Sequence, residues 1–173
     1  AFQGPGETNA VGRTMVAAIR GGHEAIARLC YAWGAQGPEG VKSIAAYLEP
    51  ALTTAAWGGH RALVYVCHDE WGARNINSAM ESAAEPGHEA IVRQCYAWGA
   101  RRVEPAMAAA ARGGHTVLIR LCREWGARDM EWAMSAAAGS GHEAVVRQCH
   151  DEWGAYDVDQ AMARAAENGH AAI

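Results

Sequence analysis

The sequence predicts an all-α protein in which helix–turn–helix units stack into one α-solenoid. First, Gly-His recurs with its histidine at 23, 60, 88, 115, 142 and 170, at intervals of 37, 28, 27, 27 and 28 residues. Second, a methionine or leucine precedes each histidine by eight positions, a cysteine follows the first five by seven, and Trp-Gly-Ala follows each cysteine. Third, a hairpin of about 27 residues buries enough apolar surface only by stacking on its neighbours.

The repeat sets the boundaries of the predicted elements. Residues 1–12 (AFQGPGETNAVG) are turn-rich and aperiodic, so we expect an irregular N-terminal segment. The array should span 13–173, with units starting near 13, 50, 78, 105, 132 and 160. Its first interval is long because about ten residues, within 36–49, are inserted between Trp33 and Leu52. The sequence stops inside a second helix, so we expect the last unit to be incomplete.

Each unit is predicted to contain two short helices. In AMESAAEPGHEAIVRQCYAWGA (79–100), apolar residues recur at i, i+3 and i+4 before Pro86-Gly87 and again, counted from His88, at i+3, i+4 and i+7. Glycine between them suits a helix end that needs φ > 0. The cysteine-to-tryptophan spacing is three residues in CYAW and four in CHDEW, and both spacings keep the tryptophan on one helix face.

The 79–100 segment resembles the helical part of an ankyrin repeat, whose pattern runs apolar-x-x-Ala-Ala-x-x-Gly-His-x-x-Ile-Val-x-x-Leu-Leu-x-x-Gly-Ala. Cys95 stands in place of the first paired leucine. The resemblance covers roughly 13–173, but the units are shorter than the 33-residue ankyrin repeat. They have no counterpart of its Thr-Pro start or β-hairpin finger, and they add a tryptophan. Such units are similar to the ankyrin-like repeats of some large DNA viruses.

Composition argues against several classes of function. The net charge is −4 with a pI near 6.1 and no basic block, so no nucleic-acid partner is expected. No apolar run approaches the ~18 residues that a membrane span needs. Five cysteines, one per repeat in one register, do not suggest a disulfide framework. We therefore expect reduced thiols in an intracellular compartment, which would be the host cytoplasm if the protein is viral.

The repeated histidines and cysteines do not have the spacing of a metal or catalytic site. His88 and Cys95 are seven residues apart, whereas zinc ligands cluster at C-x₂₋₄-C or H-x₃₋₅-H spacing. Nucleophilic Cys-His chemistry needs one special pair rather than five. We expect the histidines to cap the turns through hydrogen bonds and the cysteines to be small core residues.

Two His-Asp-Glu runs, at 68–70 and 150–152, could supply an acid–base pair or bind a divalent ion between repeats. Consecutive helical residues point in different directions, so these side chains cannot converge on one atom. Solvated helix ends are the preferred interpretation. We predict no catalytic residue, metal or cofactor.

The tryptophans form a ladder in register, and two interpretations of it stay open. Stacking between repeats is preferred, because indole rings bury a large area. Partner binding is the alternative, because tryptophan is enriched at interface hot spots. Together with the histidines and cysteines, these tryptophans make up the predicted repeat core: His23, His60, His88, His115, His142; Cys30, Cys67, Cys95, Cys122, Cys149; Trp33, Trp71, Trp98, Trp125, Trp153.

Glutamate–arginine pairs at i, i+4 recur in the favourable order near the start of three second helices. They are Glu24–Arg28, Glu89–Arg93 and Glu143–Arg147. We expect them to form a solubilising stripe on the outer face.

A binding surface should be sought where the copies differ. The ankyrin resemblance implies that the concave face is the first helix, near its end, where solenoids bind partners. The candidate partner-binding residues at these variable positions are Arg20, Thr54, Trp57, Ser82, Glu85, Arg112 and Arg164. Variation of this kind is typical of a specific partner surface, and also of drift under weak constraint.

Three hypotheses of function follow. The first is a non-enzymatic scaffold that binds another protein through this face. The alternative is a structural protein that self-assembles head to tail into oligomers or filaments through uncapped repeat ends. An enzyme or metal protein is the third.

Overall fold

The computed structural model describes residues 5–36 and 40–170, and every regular element within these ranges is helical. The chain divides into two compact units, Ala1–Ala79 and Met80–Ile173. The all-α prediction is confirmed, whereas one continuous array over 13–173 stays a prediction. Among the described residues, no helix combines the length and apolar character needed to cross a bilayer.

In the first unit, successive helices pack on their neighbours. α1 contacts α2 and α4, and α4 contacts α5. The expected irregular segment 1–12 is wrong for residues 5–12, because α1 begins at Pro5, a residue suited to a first helical turn; residues 1–4 lie outside the described residues. The elements over the described residues are α1 (Pro5–Arg20), α2 (Glu24–Gly34), α3 (Gly40–Ala45), α4 (Leu48–Trp57), α5 (Arg61–Tyr65), a π-turn (Val66–Glu70) and α6 (Ile76–Ala84), which continues past the unit boundary.

The insertion forms a short helix instead of an open loop. α3 packs on α1, α2 and α4. Ile44 on α3 is buried against Gly34, where an added Cβ would come within 2.7 Å of its side chain. The Tyr47 ring lies on Gly12 in the same way, 2.3 Å from such a Cβ. Gly34 and Gly12 therefore leave the space that side chains of the insertion fill. Residues 37–39 of the insertion lie outside the described residues.

The π-turn explains how the four-residue spacing in CHDEW is accommodated. A π-helical turn holds one residue more than an α-helical turn. Val66–Glu70 absorbs the extra residue, so Trp71 stays on the packed face and is only 8% exposed. In the second CHDEW segment, at 149–153, the helix α11 (Glu143–Asp151) ends one residue earlier, and Glu152 is its C-cap. The expectation that either spacing keeps the tryptophan in place is confirmed for Trp71.

In the second unit, the first helices α8 (Val103–Arg112) and α10 (Met130–Gly139) are the most deeply buried. α8 packs on α9 and α10, while α10 also packs on α11 and α12. Residues 106–111 of α8, all alanine except Met107, are buried on every side, because small side chains let neighbouring helices approach closely. The remaining helices are α7 (Glu89–Ala97), α8 (Val103–Arg112), α9 (Thr116–Glu124), α10 (Met130–Gly139), α11 (Glu143–Asp151) and α12 (Val158–Glu167).

Candidate functional site

The Gly-His histidines begin the second helices as their N-cap residues, yet none of these five side chains hydrogen-bonds its own helix end. Three of them donate instead to the terminal carbonyl of a first helix one repeat earlier. Such carbonyls lack an intrahelical donor. The prediction that the histidines cap their own turns is therefore wrong, because the ring satisfies the neighbouring repeat. The bonds are His60 Nε2 to Arg20 O (3.2 Å), His115 Nε2 to Glu85 O (2.9 Å) and His142 Nε2 to Arg112 O (2.7 Å).

At Gly87 and Gly114, which precede two of these histidines, both the backbone conformation and the space available require glycine. Gly87 has φ = 88° and Gly114 has φ = 76°, a region that side chains disfavour. A Cβ on Gly87 would lie 2.5 Å from the His115 ring, and one on Gly114 would lie 2.8 Å from the His142 ring. The Gly-His pair thus works across repeats: the glycine of one turn makes room for the histidine of the next.

In three repeats, a glutamate near the start of the first helix links that helix to the following repeat. This contact was not predicted from the sequence. Both oxygens of the glutamate carboxylate accept backbone N–H groups from the connection before the next first helix. The visible signal was a glutamate three positions before the Met/Leu register. The pairs are Glu49 with Arg74 N (2.9 Å) and Asn75 N (2.8 Å), Glu104 with Arg128 N (2.7 Å) and Asp129 N (3.3 Å), and Glu131 with Tyr156 N (2.8 Å) and Asp157 N (3.0 Å).

The arginine that follows Trp-Gly-Ala closes the second helix, and sequence reasoning missed this as well. Cations near a helix C-terminus complement its unpaired carbonyls and its dipole. Arg101 also lies over the Tyr96 ring, 4.6 Å from its centroid. The donated bonds to the carbonyl one residue after each cysteine are Arg74 Nη1 to His68 O (3.1 Å), Arg101 Nη1 to Tyr96 O (2.9 Å) and Arg128 Nη1 to Arg123 O (3.0 Å).

The tryptophan ladder is made of contacts between repeats at three of its positions, in line with the preferred interpretation. In each case the indole lies on the side chain that follows the cysteine of the preceding repeat. The planar or cationic residue types at that position were the signal. Trp33 is 41% exposed, while Trp98, Trp125 and Trp153 are half-buried. The contacts are Tyr31–Trp71 (centroids 4.4 Å apart, planes at 6°), Tyr96–Trp125 (3.9 Å, 5°) and Arg123 over Trp153 (4.9 Å).

All five cysteines are buried free thiols. Burial raises the pKa of Cys67, Cys95, Cys122 and Cys149 to about 12, and it also raises the pKa of Cys30. A thiol that keeps its proton at neutral pH is a poor nucleophile and a poor metal ligand. Each cysteine is therefore a small core residue, as expected from the sequence.

The His-Asp-Glu runs do not converge on one point. His68 Nδ1 lies 2.6 Å from Asp69, whereas Glu70 turns away to pair with Arg28, which holds the pKa of the Glu70 carboxyl below its ordinary value. His150 Nδ1 donates to Ala155 O at 2.8 Å. Over residues 5–36 and 40–170, no cluster of three histidine, cysteine or acidic side chains could hold a metal ion.

The predicted outer-face ion pairs are formed. Arg28 Nε lies 2.8 Å from Glu24, Arg93 Nε lies 2.8 Å from Glu89, and the third pair closes at 2.6 Å. All of these side chains are at least two-fifths exposed, so each pair adds little to stability. They occupy the solvated side of the second helices.

The variable first-helix positions are only partly brought together. Arg20, Trp57 and Arg164 are exposed, whereas Thr54 and Ser82 are half-buried beside the helix core. Glu85 and Arg112, from consecutive repeats, form an ion pair with Arg112 Nε 3.0 Å from Glu85 Oε2. Beside Arg20, an open groove of about 350 Å³ lies against α1 and α4.

The chemistry available on this surface is recognition by charged, aromatic and aliphatic groups. Comparison with known protein families and with curated proteins finds no match. The ankyrin resemblance accordingly rests on the repeat pattern itself.

Proposed function

We propose that the chain is an ankyrin-like α-solenoid that binds another protein through the first-helix face, without catalysis and without a cofactor. One observation carries the proposal. The positions that stay constant between copies make most of the contacts between repeats, whereas three variable first-helix positions, Arg20, Trp57 and Arg164, keep exposed cationic or aromatic side chains. Such a division is typical of a scaffold that presents a recognition surface.

The contacts between repeats support the solenoid part of the proposal. His115 and Glu104 join neighbouring repeats by hydrogen bonds, and Tyr96 does so by stacking. Each acts one repeat along, so the same three devices can extend an array without a β-hairpin finger. Among the exposed residues of the first-helix face, Trp57 (52% exposed) and Arg20 are of the types most enriched at interface hot spots.

The test compares two surfaces of the full chain. Tagged wild-type protein captures partners from extract of the cell that makes it, and the captured partner is then purified and its Kd measured. The triple variant Arg20→Ala, Trp57→Ala, Arg164→Ala should weaken that Kd at least tenfold, as expected for hot-spot residues. Its matched control carries Arg93→Ala and Arg147→Ala on the outer face and should stay within about twofold. Equal losses in both variants would contradict the proposal.

Head-to-tail self-assembly is the second candidate, and a specific observation favours it. α2 has a stripe of exposed apolar side chains, Ile26 (49%), Leu29 (48%) and Trp33 (41%). The same register in α9 is buried, with Leu118 2% and Leu121 4% exposed. An apolar stripe that is core in one copy and surface in another could pack on a second chain.

Light scattering across a wide concentration range, with negative-stain imaging, tests this candidate. Growth that Ile26→Glu plus Leu29→Glu abolishes would support self-assembly. A monomer at every concentration would reject it.

We also propose an intracellular, reducing compartment, which is the host cytoplasm if the chain is viral. The five buried free thiols support this setting, because they are spaced one per repeat and need no oxidant. Thiol titration of protein isolated without reductant tests it. Five free thiols are expected after unfolding, and recovery of intermolecular disulfides would contradict the assignment.

A further inference from the structure

A groove on the first-helix side of the first unit combines an apolar floor with two cationic edges. It has a volume of about 350 Å³ and is lined by Arg13, Val16, Ala17, Arg20, Tyr47 and Pro50. Two of these positions, Ala17 and Arg20, belong to the variable first-helix register. The groove is therefore part of the proposed partner-binding face, and it is a concave feature that could bind a specific side chain.

The two guanidinium groups at the groove have no carboxylate partner among the described residues. Arg13 and Arg20 are both exposed and neither forms an ion pair there. Glu49, on the adjacent α4, points to the backbone N–H groups of Arg74 and Asn75 instead. The cationic edges are thus left for an external anion.

At Arg112, another cationic position of the first-helix face, the charge is already neutralised. Arg112 and Glu85 pair with each other at 3.0 Å and lie half-buried. An incoming carboxylate at Arg112 would compete with Glu85, whereas one at Arg13 or Arg20 meets no such competitor from the part of the chain that the structure describes. This contrast distinguishes the two groove arginines from Arg112.

The insertion makes the groove different from the rest of the face. Tyr47 follows α3, and its ring is seated on Gly12, where no Cβ could fit. α3 in turn is anchored by buried Ile44. Because the long repeat interval occurs once in the sequence, this tyrosine wall has no equivalent in the other repeats.

We propose that this groove binds an extended acidic peptide segment of the partner, in which two carboxylates flank a small aliphatic side chain. The inference rests on the proposed protein-binding function and specifies its ligand. Arg13 and Arg20 are two helical turns apart, a rise of roughly 10 Å. An extended peptide advances about 3.3 Å per residue, so the matching acidic residues are about three positions apart. Val16 and Pro50 offer the apolar surface between them.

Peptide display against the intact chain tests the ligand class. A random peptide library is panned on wild-type protein, and selected sequences are resynthesised with a fluorophore for anisotropy titration. Selected peptides should carry acidic pairs at the stated spacing, and their affinity should fall with added salt. Arg13→Ala plus Arg20→Ala should weaken them by at least tenfold, because hydrogen bonds to charged groups are lost. The control variant Arg93→Ala plus Arg147→Ala, on the outer face, should change them by less than twofold.

Charge reversal sharpens the test. Arg13→Glu plus Arg20→Glu should reject the acidic peptides and accept their lysine-substituted counterparts. Selected peptides without acidic bias, or insensitive to Arg13 and Arg20, would overturn this inference while leaving the protein-binding function standing. A library that yields no binder at all would count against both. A labelled oligonucleotide that binds more tightly than any acidic peptide, and displaces it, would assign the groove to phosphates and overturn the inference.

Discussion

Helices α2 and α7 have nearly the same sequence in different surroundings. EAIARLCYAW (24–33) and EAIVRQCYAW (89–98) differ at two positions. Towards the following repeat they behave alike, because Tyr31 stacks on Trp71 as Tyr96 stacks on Trp125. On the other side they diverge: the shared isoleucine is 49% exposed in α2 and 2% exposed in α7.

This difference distinguishes the features that the sequence of a repeat determines from those that its packing neighbours determine. The stacking residue, the outer ion pair and the buried cysteine are common to both helices. Burial of the isoleucine is not, so it depends on what packs against the helix rather than on the helix sequence. One sequence can therefore serve as core in one place and as an exposed surface in another.

Replacing the shared isoleucine should give the largest contrast. Ile91→Ala should lower the free energy of unfolding by about 2–5 kcal/mol, since it opens a cavity in a packed site. Ile26→Ala removes a half-exposed side chain and should cost less than about 1 kcal/mol. Urea denaturation followed by far-UV circular dichroism measures both. Equal losses would mean that Ile26 is covered in solution.

The periodic part of the fold could be predicted from the sequence, because a residue at a given position of the repeat has the same role in every copy. Met107, Cys122 and the Gly-His turns lie where the spacing placed them. The helical start of α1 and the insertion helix α3 could not be predicted, since neither has a repeat partner to align with. The exposure of Ile26 could not be predicted either, because the equivalent isoleucine of an almost identical helix, Ile91, is buried.

Much of the polar network was missed for a different reason. Glu104 and Arg101 act on backbone groups, which every sequence has, so no complementary side chain marks their target. His115 was expected to cap its own turn, yet its ring reaches a carbonyl 30 residues away. Contacts between repeats need the stacking geometry, whereas periodicity only supplies the elements that stack.

Loss of the glutamate clamp should give the next largest effect; the clamp consists of Glu49, Glu104 and Glu131, whose carboxylates accept backbone N–H groups of the following repeat. Helix α1 has Gly12 at that position of the repeat. Glu104→Ala should lower the free energy of unfolding by about 1–3 kcal/mol, because two backbone N–H groups lose a charged acceptor. Glu104→Gln keeps one acceptor oxygen and should cost less. Glu124→Ala, at the exposed end of α9, is the control and should stay within about 0.5 kcal/mol. If the control costs as much as Glu104→Ala, the clamp has no special role.

Alkaline pH should distinguish the Cys122 thiol of α9 from the Cys30 thiol of α2. Burial raises the Cys122 pKa from 9.0 to about 12, so its contribution is complete below pH 9 and is lost as pH rises towards 12. Between pH 8 and pH 10 the stability gap between wild type and Cys122→Ala should shift by about 1 kcal/mol in favour of the variant. Cys30→Ala should shift less, and urea midpoints at both pH values measure it. A constant gap for Cys122 would contradict its burial.

The aromatic stack shared by α2 and α7 should contribute less than burial does. Tyr96→Leu keeps an apolar side chain but removes the stacking on Trp125, which should cost about 0.5–1.5 kcal/mol. Acrylamide should then quench more of the tryptophan emission. Tyr156→Leu, at a position 83% exposed, should leave both stability and quenching unchanged. Unchanged quenching in Tyr96→Leu would show that the ring does not shield Trp125.

The smallest effect should be a gain, at Ser135 in α10. Its hydroxyl is buried and finds no hydrogen-bond partner among the described residues, whereas the same register in α8 is Ala108, also buried. Ser135→Ala removes an unsatisfied polar atom and adds helix propensity, so the protein should become more stable by up to about 1 kcal/mol. Thermal unfolding measures the change. A loss of stability would instead mean that the Ser135 hydroxyl has a hydrogen-bond partner in solution, such as a bound water. This position of the repeat would then accept a polar atom only when that atom is hydrogen-bonded.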